Sequence, residues 1–235
     1  MSSLKILHLL PNTLKLNGEA GNVAVLAARA VSAGIETQVE ACDLNDSFPL
    51  LRPDIIFIGS GTTSATLAAA EHLRVNRDQL LRWVSEGSTV VAVGSGFDLI
   101  SNHFTLENGD SVPTLRLTDT SHFETHEHLV GEVVLENHAA GFINSDRRIT
   151  RKDGTCAFGT VVSSDDEALV GYLDGYRAKN IWASNVQGPW LPMNPQIADE
   201  ILSSQISGYQ ASSEMLKISD LSEKARLAIS RRVSN

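Results

Sequence analysis

Two short apolar runs, each followed at once by a Gly-Ser-Gly turn, constrain the fold of this chain more than any other feature. Residues 54–58 precede the turn at 59–61, and residues 89–93 precede the turn at 94–96. A helical segment at 67–87 lies between them, and parallel neighbouring strands need such a crossover. Runs this uniformly apolar are typical of strands buried on both faces. The sequence therefore predicts a mainly parallel sheet, with tight turns outside the carboxyl ends of its strands, where α/β proteins place nucleophiles or phosphate sites.

The rest of the chain extends this α/β pattern. Further strands are predicted at 4–10, 36–41 and 180–186, and further helices at 21–34, 195–206 and 220–233. Short β-like segments separated by Gly and Asn turns predict a mixed sheet that completes the core, at 114–117, 131–135, 154–162 and 168–173. We expect one α/β domain over residues 1–206, with residues 207–235 forming a helical tail packed on it.

The composition excludes several classes of protein. The 235 residues include 28 acidic and 19 basic side chains, and the formal net charge of −9 repels a phosphate backbone over most of the surface. We therefore expect no nucleic-acid partner. The longest apolar runs are far shorter than the ~20 residues of a spanning helix, and residues 1–8 lack the apolar core of a signal peptide. We expect no membrane span and a cytoplasmic location.

Cysteine and histidine usage predicts neither a metal nor a cofactor. Cys42 and Cys156 are too few for a disulfide framework and lie at no metal-ligand spacing, so both are predicted to be buried free thiols. Four histidines lie close together in the sequence: His122, His126, His128 and His138. The His126-x-His128 spacing on a strand is compatible with zinc, but it is also the spacing of a solvated, carboxylate-paired surface, which is our prediction.

Four sequence blocks, spread in order over nearly the whole chain, resemble one family. They read LHLLPN with NGEAGNV (7–12 and 17–23), ENH (136–138), NIWASNVQGP (180–189), and LPMNP with AD (191–195 and 198–199). They are similar to the motifs LYPD with NxYGDxGN, GFENHSG, NVxGTYLHGP and LLPKNPxxAD of the cobyric-acid-synthase-like, class I glutamine amidotransferases. Within that family, the chain most resembles the branch that modifies the peptidoglycan precursor lipid II.

This resemblance implies a three-layer α/β fold of the class I glutamine amidotransferase type with a mainly parallel central sheet. It also implies a cysteine at a strand-to-helix elbow, which attacks the glutamine side-chain amide, and a histidine that activates it. Such chemistry needs a thiolate of lowered pKa and backbone amides that face the oxyanion. The released ammonia goes to a synthetase partner, here a Mur-ligase-like subunit.

The chain departs from the family pattern at the residues that carry this chemistry. The motif G-x-C-x-G-x-Q falls on residues 92–98, which puts Gly94 at the cysteine position. The LHGP motif puts Gln187 at the histidine position, and an arginine that holds the glutamine carboxylate matches His128. The resemblance therefore implies a glutaminase site that has lost its nucleophile and its base.

Several of the remaining polar residues have two interpretations. Ser95 is either a replacement nucleophile or the cap of the helix after the turn. The backbone amides of the turn Gly59, Ser60 and Gly61 either survive as an oxyanion hole or belong to a crowded turn of small residues. His138 is either a base or a hydrogen-bonding loop residue. Trp182 and Trp190 are either an interface or core.

These observations support three hypotheses for function. In the first, the chain is a catalytically degenerate subunit that binds a Mur-ligase-like partner and acts as a scaffold or regulator in peptidoglycan precursor amidation. In the second, it is an active enzyme of changed chemistry that uses Ser95, His138 or His128. In the third, the vacated pocket binds glutamine or another small carboxylate without turnover.

Overall fold

The computed structural model describes residues 3–234, which form two β-sheets and seven α-helices. The strands are β1 (Ser3–Leu9), β2 (Glu36–Cys42), β3 (Ile55–Ile58), β4 (Thr89–Val93), β5 (His103–Thr105), β6 (Ser111–Val112), β7 (Thr120–Leu135), β8 (Ala140–Arg151), β9 (Gly159–Ser164), β10 (Leu173–Asp174), β11 (Tyr176–Ala178) and β12 (Ile181–Ser184). The helices are α1 (Ala20–Ser32), α2 (Thr63–Val75), α3 (Arg77–Ser85), α4 (Ser95–Ile100), α5 (Trp190–Met193), α6 (Pro195–Gln205) and α7 (Ser213–Val233).

The central sheet has the strand order β11-β12-β4-β3-β1-β2. All neighbours in it are parallel except the edge strand β11, which runs antiparallel to β12. Strands β3 and β4 are buried along their whole length, as their continuous apolar runs predict. The mainly parallel sheet is therefore confirmed, and the turns after β3 and β4 lie side by side.

Helices cover both faces of this sheet and give two apolar cores. On one face, Ile6, Phe57 and Val91 pack in a cluster with residues of α1 and α6. On the other face, the alternate residues of the same strands join residues of α2, α3 and α4. This alternation follows from the two-residue period of a strand. The result is the three-layer α/β arrangement that the sequence predicts.

A second, mixed sheet of six strands is built on the long strand β7. Its order is β10-β9-β7-β5-β6, and β8 pairs with β7 in an antiparallel hairpin. The mixed sheet predicted for this region is therefore present, but it is a separate sheet. Buried residues of β7 and β9, including Val133 and Val161, pack into the core on the α1 face of the central sheet.

Three predicted elements differ from the structure. The helix predicted at 67–87 is two helices, because Asn76 uses its side-chain amide to donate to the carbonyl of His72 and breaks the helix. The strand predicted at 168–173 is instead the end of a short 3₁₀ helix and a turn, and only Leu173 belongs to a strand, β10; Asp166 accepts from the amide of Ala168 at the start of the 3₁₀ helix. The segment 114–117 is not a strand; its amides instead donate to carbonyls at the end of α4.

Two predictions about single residue types are also settled. Cys42 is buried, but Cys156 is exposed, because it lies in the irregular segment between β8 and β9. The prediction that both thiols are buried is therefore wrong for Cys156. Trp182 and Trp190 are at most 1% exposed and belong to the core, so the core interpretation of these tryptophans is confirmed.

Among the helices in residues 3–234, none combines the length and apolar character needed to cross a membrane.

A partly buried ion pair, with Arg29 3% and Asp199 26% exposed, ties three helices together. The guanidinium of Arg29 on α1 donates to both carboxylate oxygens of Asp199 on α6, at 2.7 and 2.6 Å, and reaches Ser219 on α7. The hydroxyl of Tyr209 donates to the same carboxylate at 2.6 Å. Helix α7 therefore packs on the domain through polar contacts. The division of the chain at residue 206 stays a prediction.

We predict that Arg29→Met lowers the free energy of unfolding by roughly 3 kcal/mol, because it leaves the Asp199 carboxylate without its charge partner. The control is Arg74→Met, which removes the exposed pair of Arg74 with Glu71 on α2. Urea denaturation measures both variants, and the control should match the wild type. Equal stability of the Arg29 variant and the wild type would contradict the prediction.

Candidate functional site

The turn between β4 and α4, residues 94–96, is a tight strand-to-helix elbow. Gly94 has φ 55° and ψ −122°, a conformation that is strained for any residue with a side chain. Gly96 lies against β3, where a Cβ would overlap the carbonyl oxygens of Ile58 and Gly59. The elbow therefore needs glycine at 96 because of the close backbone approach, and it aims position 94 out of the sheet.

The space above Gly94 is already filled. A Cβ built on Gly94 would lie 2.5 Å from Oγ and 2.8 Å from Cβ of Ser60, which belongs to the turn after β3. Real Cβ atoms essentially never approach another atom so closely. A cysteine at position 94 therefore does not fit beside Ser60 as it stands.

The backbone amides of the two turns are engaged by serine hydroxyls. The amide of Gly61 donates to Oγ of Ser95 at 2.9 Å, and the amide of Ser95 donates to Oγ of Ser60 at 3.3 Å. The expectation that Ser95 caps α4 is wrong, because Gly94 occupies the N-cap position and Ser95 is the first helical residue. Of the two interpretations of residues 59–61, an oxyanion hole would need the amide of Gly61, which donates to Ser95 in this structure; the assignment stays a prediction.

Gln187 lies directly opposite the elbow. Its side chain is buried, with Nε2 located 2.9 Å from where a Cβ of Gly94 would be. Its Oε1 accepts a hydrogen bond from Nδ2 of Asn17, and its backbone pairs with Phe142 of β8. The structure thus brings together the two positions at which the family motifs have a nucleophile and a base, and it fills the second with a neutral amide.

These residues line a small cleft of about 70 Å³. We call it the elbow cleft; its lining residues are Ser60, Gly61, Gly94, Ser95, Asp98, Asn144, Ser145, Asp146, Arg147, Asn185 and Gln187. Small-molecule pockets are typically about 300–1,000 Å³, so the elbow cleft is small for a ligand of that class. Its lining is mostly polar.

Arg147 is the cation of the elbow cleft. Its Nε donates to Asp98 at 2.9 Å, and its Nη1 contacts Glu124 at 3.2 Å and also Asp146. Burial opposes the charge of Arg147, but the carboxylates around it outweigh burial and raise the pKa of the guanidinium above its ordinary value. Nε and Nη1 of Arg147 serve these three carboxylates, whose combined negative charge exceeds the charge of the guanidinium, so the cluster as a whole repels the carboxylate of a ligand.

A buried histidine, His122, contacts the Asp98 carboxylate that pairs with Arg147. Nδ1 of His122 lies 2.7 Å from Oδ1 of Asp98, and Nε2 of His122 lies 2.9 Å from the hydroxyl of Thr120. His122 is fully buried and packs edge-on against Phe97 of α4. The prediction that the four histidines lie on a solvated surface is therefore wrong for His122. Sequence reasoning missed this network; its one signal was Asp98, at the last position of the elbow motif.

The other histidines do not form a common site. His126 is exposed beside Glu107, and His138 lies in the turn between β7 and β8 with φ 63°. Nε2 of His128 is 2.6 Å from Oδ1 of Asn144, so His128 lies behind a residue of the elbow cleft and does not line it. Within residues 3–234, no group of three or more His, Cys, Asp or Glu side chains is arranged to hold a metal.

Glu19 is a buried acid beneath the first turn. It is 2% exposed, and a Cβ on Gly59 would meet its Cβ and Cγ at 3.0 Å. Burial raises the pKa of Glu19 to about 8, although hydrogen bonds from the Ser60 backbone and the Asn22 side chain partly offset this effect. Glu19 is therefore mostly protonated at neutral pH and packs as a neutral group behind Ser60.

The fold matches that of glutamine amidotransferases. A crystal structure of a glutamine amidotransferase superposes with a TM-score of 0.51 at 14% identity, covering 85% of this chain and 98% of that one. No protein-family model matches the chain. The structural match shows that the chain has the fold of a glutamine amidotransferase.

Two curated proteins match the sequence over most of its length. Both are the subunit GatD of lipid II isoglutaminyl synthase (glutamine-hydrolyzing). The protein of Streptococcus pneumoniae is 25% identical over 213 residues, 86% of this chain and 80% of that protein. The protein of Staphylococcus aureus is 24% identical over 209 residues, 86% of this chain and 84% of that protein. The chain is a homologue of these GatD subunits.

We predict that the buried acid makes stability fall with rising pH. The pKa of Glu19 is raised in the fold, so its stabilising contribution is complete below the ordinary pKa of a glutamate and is lost as the pH rises to about 8. Between about pH 7 and pH 8, this group lowers the free energy of unfolding by up to about 1.4 kcal/mol per pH unit. His8, whose pKa burial lowers to about 4, acts in the opposite direction and at lower pH.

Urea denaturation at several pH values measures this slope. Glu19→Gln should flatten it and should be more stable than the wild type at pH 8, because the amide carries no charge to bury. Exposed Glu36 supplies the control variant, Glu36→Gln, which should keep the wild-type slope. Parallel slopes for the wild type and Glu19→Gln would show that Glu19 does not set the pH dependence.

Proposed function

We propose that this chain is an amidotransferase-like subunit in the amidation of the peptidoglycan precursor lipid II, and that it does not itself hydrolyse glutamine. The homology to GatD over 86% of the chain supports the first part. The geometry of the elbow supports the second part. The chain then serves its assembly as a scaffold or regulator, and ammonia comes from solution or from another subunit.

One observation carries the loss of glutaminase activity. Position 94 has no side chain, and Ser60 fills the space for one. The amide of Gly61 donates its hydrogen bond to Oγ of Ser95. Glutamine hydrolysis of this class needs a nucleophile, a base that activates it, and free amides for the oxyanion. The elbow cleft supplies none of these in working form.

The second hypothesis, in which Ser95 is a nucleophile, has weaker support. The Oγ of Ser95 accepts from the amide of Gly61, and in the part of the chain that the structure describes it has no hydrogen bond to a histidine or carboxylate. A serine needs such a base within hydrogen-bond reach. His128 and His138 do not line the elbow cleft.

The third hypothesis, carboxylate or glutamine binding, also has weaker support. Arg147 is the cation available to a carboxylate in the elbow cleft, and Asp98, Asp146 and Glu124 already pair with it. The three carboxylates outnumber this single cation, so a ligand carboxylate would meet a net negative charge at the site. The small volume of the elbow cleft also disfavours the binding of glutamine or another carboxylate.

The proposed partner is a synthetase subunit of the Mur-ligase type, and the proposed location is the cytoplasm. The motifs of the four blocks support this partner, because in the family they accompany a synthetase that uses the ammonia. The matched curated proteins are themselves named as subunits.

We predict that the purified wild-type chain releases no glutamate from glutamine, alone or with its co-purifying partner, because the elbow lacks a nucleophile. A coupled glutamate assay measures the release, and the GatD of Streptococcus pneumoniae, named as glutamine-hydrolyzing, in its own complex is the positive control. Clear wild-type turnover that Ser95→Ala abolishes would refute the proposal and identify Ser95 as the nucleophile.

We predict that introducing a nucleophile and a base is not sufficient to give glutamine hydrolysis. The double variant Gly94→Cys with Gln187→His should stay inactive, because the new Cβ collides with Ser60. Adding Ser60→Gly removes both colliding atoms and frees the amide of Ser95, so the triple variant should be the first to release glutamate.

Thiol alkylation by an iodoacetamide reagent gives a second readout of the same variants. The thiolate introduced at position 94 should react faster in the triple variant than in the double variant. The single variant Ser60→Gly is the matched control; it should release no glutamate and should react with the reagent like the wild type. Activity of the double variant equal to that of the triple variant would show that Ser60 does not block the site.

A further inference from the structure

A second groove lies at the opposite end of α4 from the elbow cleft. Asn102 and His103 follow the end of α4, Ser111 and Thr114 border the short strand β6, and Arg77 begins α3. The groove has a volume of about 400 Å³ and shares no lining residue with the elbow cleft. We call it the basic groove; its lining residues are Arg77, Asn102, His103, Ser111, Val112, Pro113, Thr114 and Arg116.

Every ionisable side chain that lines the basic groove is basic. They are Arg77, His103 and Arg116, and no carboxylate is among the lining residues. The chain as a whole has 28 acidic and 19 basic residues, so this local excess runs against the composition. The neutral lining residues Asn102 and Ser111 add further hydrogen-bond donors, whereas the hydroxyl of Thr114 donates to the carbonyl of Asn102. The groove therefore concentrates positive potential on an acidic protein.

The backbone holds Arg116 in a fixed and unusual position. Its φ is 55°, in the left-handed region that residues other than glycine rarely adopt. The amides of Leu115, Arg116 and Leu117 donate to carbonyls of residues 99–101 at 2.8, 3.2 and 2.9 Å. Three consecutive hydrogen bonds thus secure this conformation at the groove.

The two arginines are largely free to bind a ligand. Within residues 3–234, the guanidinium of Arg116 has no ion pair or side-chain hydrogen bond. Arg77 has a long contact of 3.9 Å with Asp78, whose side chain points fully into solvent. A contact of this kind between exposed groups is weak. An anion in the groove would therefore not have to displace a buried partner.

We propose that the basic groove binds a phosphate or diphosphate group. Two arginines, a histidine and two neutral donors exceed what the two oxygens of a carboxylate can accept, whereas a phosphate offers three or more oxygens and a larger charge. The planar fork of arginine matches phosphate oxygens bidentately. The groove has room for a diphosphate ester. This inference does not depend on the proposed function.

Titration of inorganic pyrophosphate into the full chain, followed by isothermal calorimetry, tests the proposal. We expect saturable binding that weakens at higher salt. Arg77→Gln and Arg116→Asn should each weaken it by about tenfold, because each removes a charge-assisted pair of hydrogen bonds. Asparagine suits position 116 because it tolerates the left-handed conformation. Arg82→Gln, an exposed position on α3 outside the groove, is the matched control and should bind like the wild type.

Vesicles distinguish the source of the phosphate. Cosedimentation with phosphatidylglycerol vesicles, compared with neutral phosphatidylcholine vesicles, tests a lipid headgroup, and pyrophosphate tests a soluble ligand. Binding in either arm that depends on Arg77 and Arg116 supports the proposal. No binding of the wild type in both arms, or equal losses in Arg82→Gln, would overturn it. A thermal unfolding curve for each variant shows that it is folded, and Arg77→Gln retains the test if Arg116→Asn unfolds.

Discussion

The close approach of two neighbouring turns sets the structure of the candidate site. Strands β3 and β4 are adjacent and parallel, so the turns that follow them meet at the same edge of the sheet. Gly96 lets the second turn lie against the carbonyls of the first, and Ser60 occupies the space over Gly94. The backbone shape of a nucleophile elbow is thus maintained by packing between turns, and this packing does not depend on any catalytic side chain.

Asparagines from three of the four motif blocks support this arrangement by joining segments that are distant in the sequence. Asn22 accepts from the amide of Leu191, and Asn194 bonds both the amide and the carbonyl of Ala140. Asn137 donates to the carbonyl of Phe158, and Asn17 donates to Gln187. Asn22 and Asn194 are fully buried, and buried polar groups are costly when they lose a partner, so these two have structural roles whatever chemistry the site performs. The motifs therefore describe the fold more directly than the reaction.

The sequence predicted the parts of the molecule that depend on local pattern. The apolar runs before the two Gly-Ser-Gly turns predicted β3, β4 and their edge, and the motif register placed Gln187 opposite Gly94. It could not predict that Ser60 fills the elbow, because this depends on how closely two backbones approach. It also missed the link of Asp98 with Arg147, since Arg147 on β8 reaches across to α4, 49 positions earlier in the sequence. The burial of Glu19 was missed because the glycine that covers it comes from another element.

The hydrogen bonds at the elbow explain why its substitutions depend on one another. A backbone amide in a buried turn must find an acceptor, and without a substrate oxyanion or water the nearest acceptor has to come from the protein. Ser60 and Ser95 provide hydroxyl oxygens for the amides of Ser95 and Gly61. Once Ser60 fills the space, a side chain at position 94 meets both a strained φ and a steric clash, so glycine becomes the residue that fits best. The hydrogen bonds between the two turns thus stabilise a backbone in which a nucleophilic side chain does not fit at position 94 unless Ser60 is also replaced.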